Sequence, residues 1–222
     1  MASSAQLFDV ALVVDATLGE AFPLVPLVLG RLPKGSRAAI VLVADHLDCP
    51  VRLAANSEQP ESKVLPFELR VRGFSRDLAA LKKWWSDHAE SVAIDFADIA
   101  LECALDAVSG LEWNDDALKR MLVITQSIPH YSDKSEMPLR TGWPCTRVPP
   151  VCWLSSLEYL ERRKVRATVV LPAGIRRTGR HLGELRERVW QRLSRSGEGI
   201  IDAKDDAIQR WATRAFVAGA GE

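Results

Sequence analysis

The chain has 222 residues, 47% of them apolar, with 29 basic and 29 acidic side chains that leave a formal net charge of zero. That length suits one α/β domain with a full core, and the balanced charge supplies no overall field for a nucleic acid. No apolar run approaches the roughly 18 residues that span a bilayer, and four cysteines do not make a disulfide scaffold in a chain this long.

Met1–Gln6 carries neither a basic start nor an apolar signal core, so a cytoplasmic protein is expected. Phe8–Val14, apolar but for Asp9, is a run that ends on Asp15, with Thr17 two positions on. Such a run predicts a strand buried on both faces, as in parallel sheets, with Asp15 and Thr17 at its carboxyl end. In open α/β sheets ligands bind at that end, and two oxygen side chains there suit a hard cation such as Mg²⁺. Gly19–Leu32 has helical spacing, with Pro23 and Pro26 tolerated near its start. Arg37–Asp45 predicts a second buried strand and residues 46–62 a loop. Lys63–Arg72 alternates as an edge strand does. Ser75 is expected to cap a helix from Arg76 to Glu90, with Leu78, Leu81 and Trp84 or Trp85 inward. Asp98–Leu111 predicts an amphipathic helix with Cys103 in the core.

Met121–Thr125 predicts a third buried strand. The proline-rich segment Ser127–Pro150 is a loop long enough to suggest function. A helix over Trp153–Lys164, a buried strand over Arg166–Leu171 and a helix over His181–Arg195 follow. The chain closes with a short strand over Glu198–Asp202 and a helix over Asp205–Val217. Strands alternating with helices imply a three-layer, doubly wound, mostly parallel α/β sheet with one antiparallel edge strand, in a single domain over 1–222.

Charge is uneven along the chain. Residues 86–136 hold 11 acids against 3 bases, and residues 161–195 hold 11 bases against 3 acids. Solvated faces that compensate each other are the expected reading. The sharper one is a basic patch fed by Arg162, Arg163, Arg176, Arg177 and Arg180 for an acidic or phosphate-bearing partner. Nucleic-acid binding would need exposed aromatics among the bases, and Trp190 in that region is expected to pack inside, so a nucleic-acid partner is not expected.

The order of parts resembles the von Willebrand factor A domain, in its bacterial and alpha-kinase-linked variety, over nearly the whole chain. Four places carry the likeness: Val13–Gly19, similar to the family's strand and D-x-[ST]-x-S turn; Ala39–Asp45 with His46; Asp95 followed by Ala104–Val108 and Leu111–Trp113; and Arg120–Gln126 with Pro129-His130. The Gly142–Cys145 loop adds to it. The resemblance implies a metal-ion-dependent adhesion site at the top of the sheet, whose ion accepts a partner's carboxylate. Carried over, Asp15 and Thr17 match, and Asp95 takes the middle-loop position. Gly19 replaces the second serine and offers no side-chain oxygen, and Gln126 replaces the final aspartate and offers no charge.

The site therefore resembles a degenerate one, with no cofactor expected, and Asp15 and Thr17 then serve the turn itself. The resemblance implies a non-enzymatic adaptor that binds another protein, such as an ATPase, kinase or protease of the same bacterial system. Its top-face loops, 15–20, 45–62, 91–98, 126–150 and 172–181, would carry Asp15, Thr17, Gly19, Asp45, His46, Asp95, Gln126 and His130. The alternatives are a metal-dependent binder with Mg²⁺ at Asp15, Thr17 and Asp95, and a hydrolase using that ion with His130 as base. A haloacid-dehalogenase phosphatase start lacks its second acid, because Thr17 stands there. His46, His130, Cys49, Cys145 and Cys152, with Asp45 and Asp48, offer zinc ligands. However, Cys145 and Cys152 are spaced too widely for common zinc pairs, so the two histidines are expected to tie loops together.

Overall fold

The computed structural model describes residues 6–16, 18, 23–44, 69–89, 98–129, 152–172 and 180–217. Through them strands and helices alternate. They are β1 (Phe8–Asp15), α1 (Leu24–Leu29), β2 (Arg37–Val43), β3 (Leu69–Ser75), α2 (Leu78–His88), β4 (Asp98–Ile99), α3 (Leu101–Ser109), β5 (Leu118–Ile124), β6 (Ile128–Pro129), α4 (Trp153–Arg162), β7 (Arg166–Leu171), α5 (Arg180–Ser194), β8 (Gly199–Asp202) and α6 (Asp205–Val217). Six strands form one sheet in the order β3-β2-β1-β5-β7-β8. Every neighbouring pair is parallel except β2 and β3, so β3 is the antiparallel edge.

The apolar runs explain the layering. All eight residues of β1 are buried, and successive side chains enter opposite cores. Val10, Leu12 and Val14 meet Val28 of α1, Leu81 and Trp85 of α2, and Ile208 and Trp211 of α6. Ala11 and Val13 belong to the other core, with Leu101 and Leu105 of α3, Leu157 and Leu160 of α4, and Trp190 and Leu193 of α5. Cys103 lies fully buried in that second core. The result is the expected three-layer, doubly wound fold of von Willebrand A-like form. Among the described residues no helix is long and apolar enough to cross a membrane.

Several boundaries differ from the sequence expectation for physical reasons. The helix expected over Gly19–Leu32 is only Leu24–Leu29, between Pro23 as N-cap and Gly30 as C-cap. The edge strand runs over Leu69–Ser75, further along than Lys63–Arg72 suggested, and residues 63–68 lie outside the described set. Ala38 pairs with Ser75 but Ile40 pairs with Arg72, so Gly73 and Phe74 together stand opposite Ala39 in a bulge. That bulge interrupts the alternation and hides the strand's end. Ser75 is consequently a strand residue, not the helix cap. Asp77 caps α2, its carboxylate accepting from the Ala80 N–H at 2.9 Å, while the Ser75 hydroxyl accepts from the Asp77 N–H at 3.1 Å. The helix expected from Asp98 starts at Leu101, because Asp98 and Ile99 pair in parallel with Ile128 and Pro129. The long Ser127–Pro150 loop thus opens with a short strand, and residues 130–151 lie outside the described set.

From β1 the chain proceeds to β2 on one side, whereas β5 lies on the other side of β1 and leads on to β7. The carboxyl ends of β1 and β5 therefore flank the topological switch point, where open α/β sheets form their binding crevice.

Candidate functional site

Asp15 is the last residue of β1, and the register that sets Val14 beside Ile124 brings Thr125 next to it. Its side chain is fully buried. The Asp15 Oδ2 accepts from the Thr125 hydroxyl at 3.0 Å, from the Ser127 hydroxyl at 3.1 Å, and from the Gln126 backbone N–H at 3.4 Å. Thr125 and Ser127 are themselves fully buried. The tripeptide holds its own shape: the Thr125 Oγ1 accepts from the Ser127 N–H at 2.8 Å, a threonine turn that ends the strand. The Ser127 carbonyl in turn accepts from the Trp190 indole N–H of α5 at 3.0 Å. A continuous polar network thus runs from the tip of β1 through the end of β5 into α5.

Bonds from hydroxyls to an ionised carboxylate are among the stronger neutral-donor contacts, and a buried carboxylate needs them. The donor set bears directly on a cation. A hard divalent ion requires oxygens that present lone pairs. Here three protein donors converge on Oδ2, so an ion bound through that oxygen would have to displace them. The described part of this site fits a carboxylate held by hydrogen bonds better than one held open for metal.

Of the residues expected at the site, Asp15 and Gln126 come together, and Gln126 reaches Asp15 through its main-chain N–H. Thr17, Gly19, Asp45, His46, Asp95 and His130 lie outside the described residues, as do Asp48, Cys49 and Cys145. Thr125 and Ser127 were not anticipated. Their signal in the sequence is a T-x-S tripeptide following a buried strand, which register could set beside the acid that ends its neighbour.

Of the expected basic patch, Arg162, Arg163 and Arg180 lie among the described residues. Arg162 and Arg163 close α4 just before β7, at the amino edge of the sheet. Arg180 opens α5 after β7, at the carboxyl edge, and Arg176 and Arg177 lie outside the described residues. Six residues of β7 separate the two groups, about 20 Å at the usual rise of a strand. Arg163 bonds Asp115 at 2.9 Å, and Asp115 also takes Lys119 at 3.0 Å. Hydrogen bonds from Lys119 and then Arg163 hold the Asp115 carboxyl below its ordinary range. Arg192 pairs with Glu161 at 2.6 Å. The acid-rich and base-rich segments thus touch at Asp115 and Arg163.

Neither a family model nor a curated protein sequence matches the chain. Solved structures share its fold. The pilus adhesin SpaC of Lactobacillus rhamnosus GG, in its open conformation, is similar over 97% of this chain and 30% of the adhesin, at 13% identity and a TM-score of 0.59. The conserved hypothetical protein BatB of Bacteroides thetaiotaomicron is similar over 97% of this chain and 100% of its own, at 11% identity and a TM-score of 0.55. An aerotolerance-related membrane protein of Bacteroides fragilis NCTC 9343 is similar over 93% of this chain and 99% of its own, at 10% identity and a TM-score of 0.53. The chain therefore spans less than a third of the adhesin but the whole of the BatB structure. At these identities the likeness is one of fold.

Proposed function

We propose that this chain is a non-enzymatic interaction domain of the von Willebrand A type. In this reading residues 1–222 form one unit that binds another protein through the loops at the carboxyl edge of the sheet, with little or no dependence on metal. The observation that carries the reading is the state of Asp15: its carboxylate is buried and its Oδ2 accepts from Thr125, Ser127 and Gln126. Two sequence features agree with it, Gly19 in place of a second serine and Gln126 in place of a final acid. The partner proposed is a protein of the same bacterial system, an ATPase, kinase or protease, met in the cytoplasm. That class rests on analogy of fold, and the adhesin among the structural neighbours supports binding as the activity.

The test is thermal melting of the chain during titration with Mg²⁺, Mn²⁺ and Zn²⁺, because a ligand that binds only the folded form raises the midpoint. The expected result is no shift with any of the three. A rise abolished by Asp15→Ala would overturn the metal-independent reading in favour of an occupied adhesion site. A metal-stimulated hydrolysis lost in His130→Ala would replace it with the enzymatic one. Affinity capture in chelator and in Mg²⁺ should recover the same partner, and Asp45→Ala with His46→Ala should weaken that capture.

A further inference from the structure

Cations gather where α4 and α5 end. Between Glu161 and Arg166 four bases stand against one acid, and Arg192 and Arg195 stand at the end of the neighbouring helix. Several contacts hold these segments together. Arg192 reaches Glu161 with two bonds, at 2.6 and 3.1 Å. The Ser196 hydroxyl donates to the Val165 carbonyl at 3.3 Å and accepts from the Ala167 N–H at 3.1 Å. Arg162, Lys164 and Arg195 therefore stand around one seam at the amino edge of the sheet. The chain on both sides of the seam is described without a break, over 152–172 and 180–217.

The acids of this edge are committed to other cations. Asp9 accepts two bonds from Arg37, at 2.9 and 2.6 Å. Asp115 takes Lys119 and Arg163, and Glu161 takes Arg192. Arg162, Lys164 and Arg195 are exposed, and none of the three forms an ion pair among the described residues. Tyr159, one turn before Arg162 on α4, is 38% exposed, one of two large apolar side chains left so open among the described residues. Its hydroxyl accepts from Arg163 at 3.4 Å.

Lys164 carries the second observation. The Val165 N–H reaches the Leu160 carbonyl and the Lys164 N–H the Glu161 carbonyl, both at 2.9 Å. This pairing ends a helix through one left-handed residue, a place where glycine is the usual choice. Lys164 holds it at φ 60°, the one non-glycine with positive φ among the described residues. A side chain there costs stability, and such costs gather at functional positions. A lysine also suits the negative end of a helix dipole, but Arg162 and Arg163 already supply cations to the same end.

We propose that this seam binds a short acidic segment of a partner protein. Its carboxylates meet Arg162, Lys164 and Arg195, and an apolar side chain between them covers Tyr159. The rim decides the class of occupant. Asp116, next to Asp115, and Glu158, one turn before Arg162, are both exposed. They repel the unbroken phosphate array of a membrane or a nucleic acid, whereas a short segment sets its charges on the cations alone. This surface lies at the opposite edge of the sheet from the carboxyl-edge loops, and neither proposal depends on the other.

The experiment uses the full chain and a fluorescein-labelled ten-residue peptide of glutamates around one phenylalanine, followed by polarisation. The peptide should bind saturably and more weakly as salt rises. Arg162→Glu combined with Arg195→Glu should weaken it about tenfold or more. Lys82→Glu reverses an exposed charge on α2, across the sheet, and should leave binding unchanged. Lys164→Gly should raise the melting midpoint yet weaken the peptide about two- to fivefold, opposite movements that a merely structural lysine does not produce. Should the doubly reversed variant fail to fold, Lys164→Gly still decides. Failure of the peptide to bind, unchanged affinity in Lys164→Gly, or equal weakening in Lys82→Glu would overturn the assignment. Tighter binding of oligothymidylate or of phosphatidylserine vesicles would overturn the choice of partner.

Discussion

Replacing Asp15 by alanine, with all metal chelated, separates two kinds of buried acid. An acid held open for a cation is an uncompensated charge when the ion is removed, and deleting it leaves the fold as stable or more so. An acid satisfied by protein donors behaves oppositely. Asp15→Ala strands the buried hydroxyls of Thr125 and Ser127 and the N–H of Gln126. Hydrogen bonds to a charged group contribute about 1.5–3 kcal/mol each. Part of one is recovered, because the Thr125 hydroxyl can turn to the Ser127 carbonyl 3.4 Å away. Removing the buried acid also relieves its own desolvation cost, so the net loss is about 3–5 kcal/mol, the range for breaking a buried charged contact. For a chain of this length, about 2–4 °C accompanies each kcal/mol, so the midpoint should fall by about 6–20 °C. Differential scanning calorimetry in chelator reads this directly. A double-mutant cycle with Thr125→Val should return a coupling of about 1–2 kcal/mol. A midpoint for Asp15→Ala equal to or above that of the wild type would refute the reasoning, and with it the picture of a carboxylate that needs no ion.

Four further outcomes follow from the geometry. Arg37→Ala leaves the Asp9 carboxylate, only 1% exposed, to rely on the Asn114 N–H, and should cost about 3–5 kcal/mol in urea unfolding. Arg37→Lys should recover little of that, since an ammonium cannot reproduce the two-pronged contact. Gly197→Ala would place a methyl carbon 2.1 Å from the Ala167 carbonyl oxygen and should destabilise by about 3 kcal/mol, read by the same unfolding curve. Lys164→Gly relieves a left-handed backbone at φ 60° after α4 and should raise stability by about 1 kcal/mol. Asp115, whose carboxyl is held below its ordinary 3.8, contributes stability that is present above that value and lost as pH falls through the lowered one. Asp115→Asn should therefore flatten the acid limb of the melting midpoint below about pH 4, with little change near neutrality.

The fold was legible because its central strands are buried on both faces. Val10–Val14, Ala38–Val43, Met121–Ile124 and Val169–Leu171 are apolar throughout, which a covered parallel sheet accommodates. What escaped was short or irregular. A two-residue strand such as Asp98–Ile99 is set by its partner at Ile128–Pro129 and leaves no periodic trace of its own. The bulge at Gly73–Phe74 breaks alternation where a sequence reading expects the strand to stop. The described arginines of the expected patch show how a strand sets positions apart. Nearness along the chain from Arg162 to Arg180 spans a whole strand, and a strand carries its two ends to opposite edges of the sheet.

The site was half legible. Asp15 announces itself as the acid that ends an apolar run. Thr125 and Ser127 do not, because their tie to Asp15 spans more than a hundred residues and depends on the register between β1 and β5. A reading that looks for a charge at position 126 finds glutamine and records a loss. The neighbours of that position carry the compensation. At the end of β1, Asp15 is a buried carboxyl whose Oδ2 takes two hydroxyls and an amide from the end of β5, the kind of contacts that a buried polar group requires. The same contacts tie the acid to the end of β5. Removing it would orphan buried donors, and those donors also hold the Thr125–Ser127 turn against Trp190. The carboxylate then acts as the pin of the carboxyl edge.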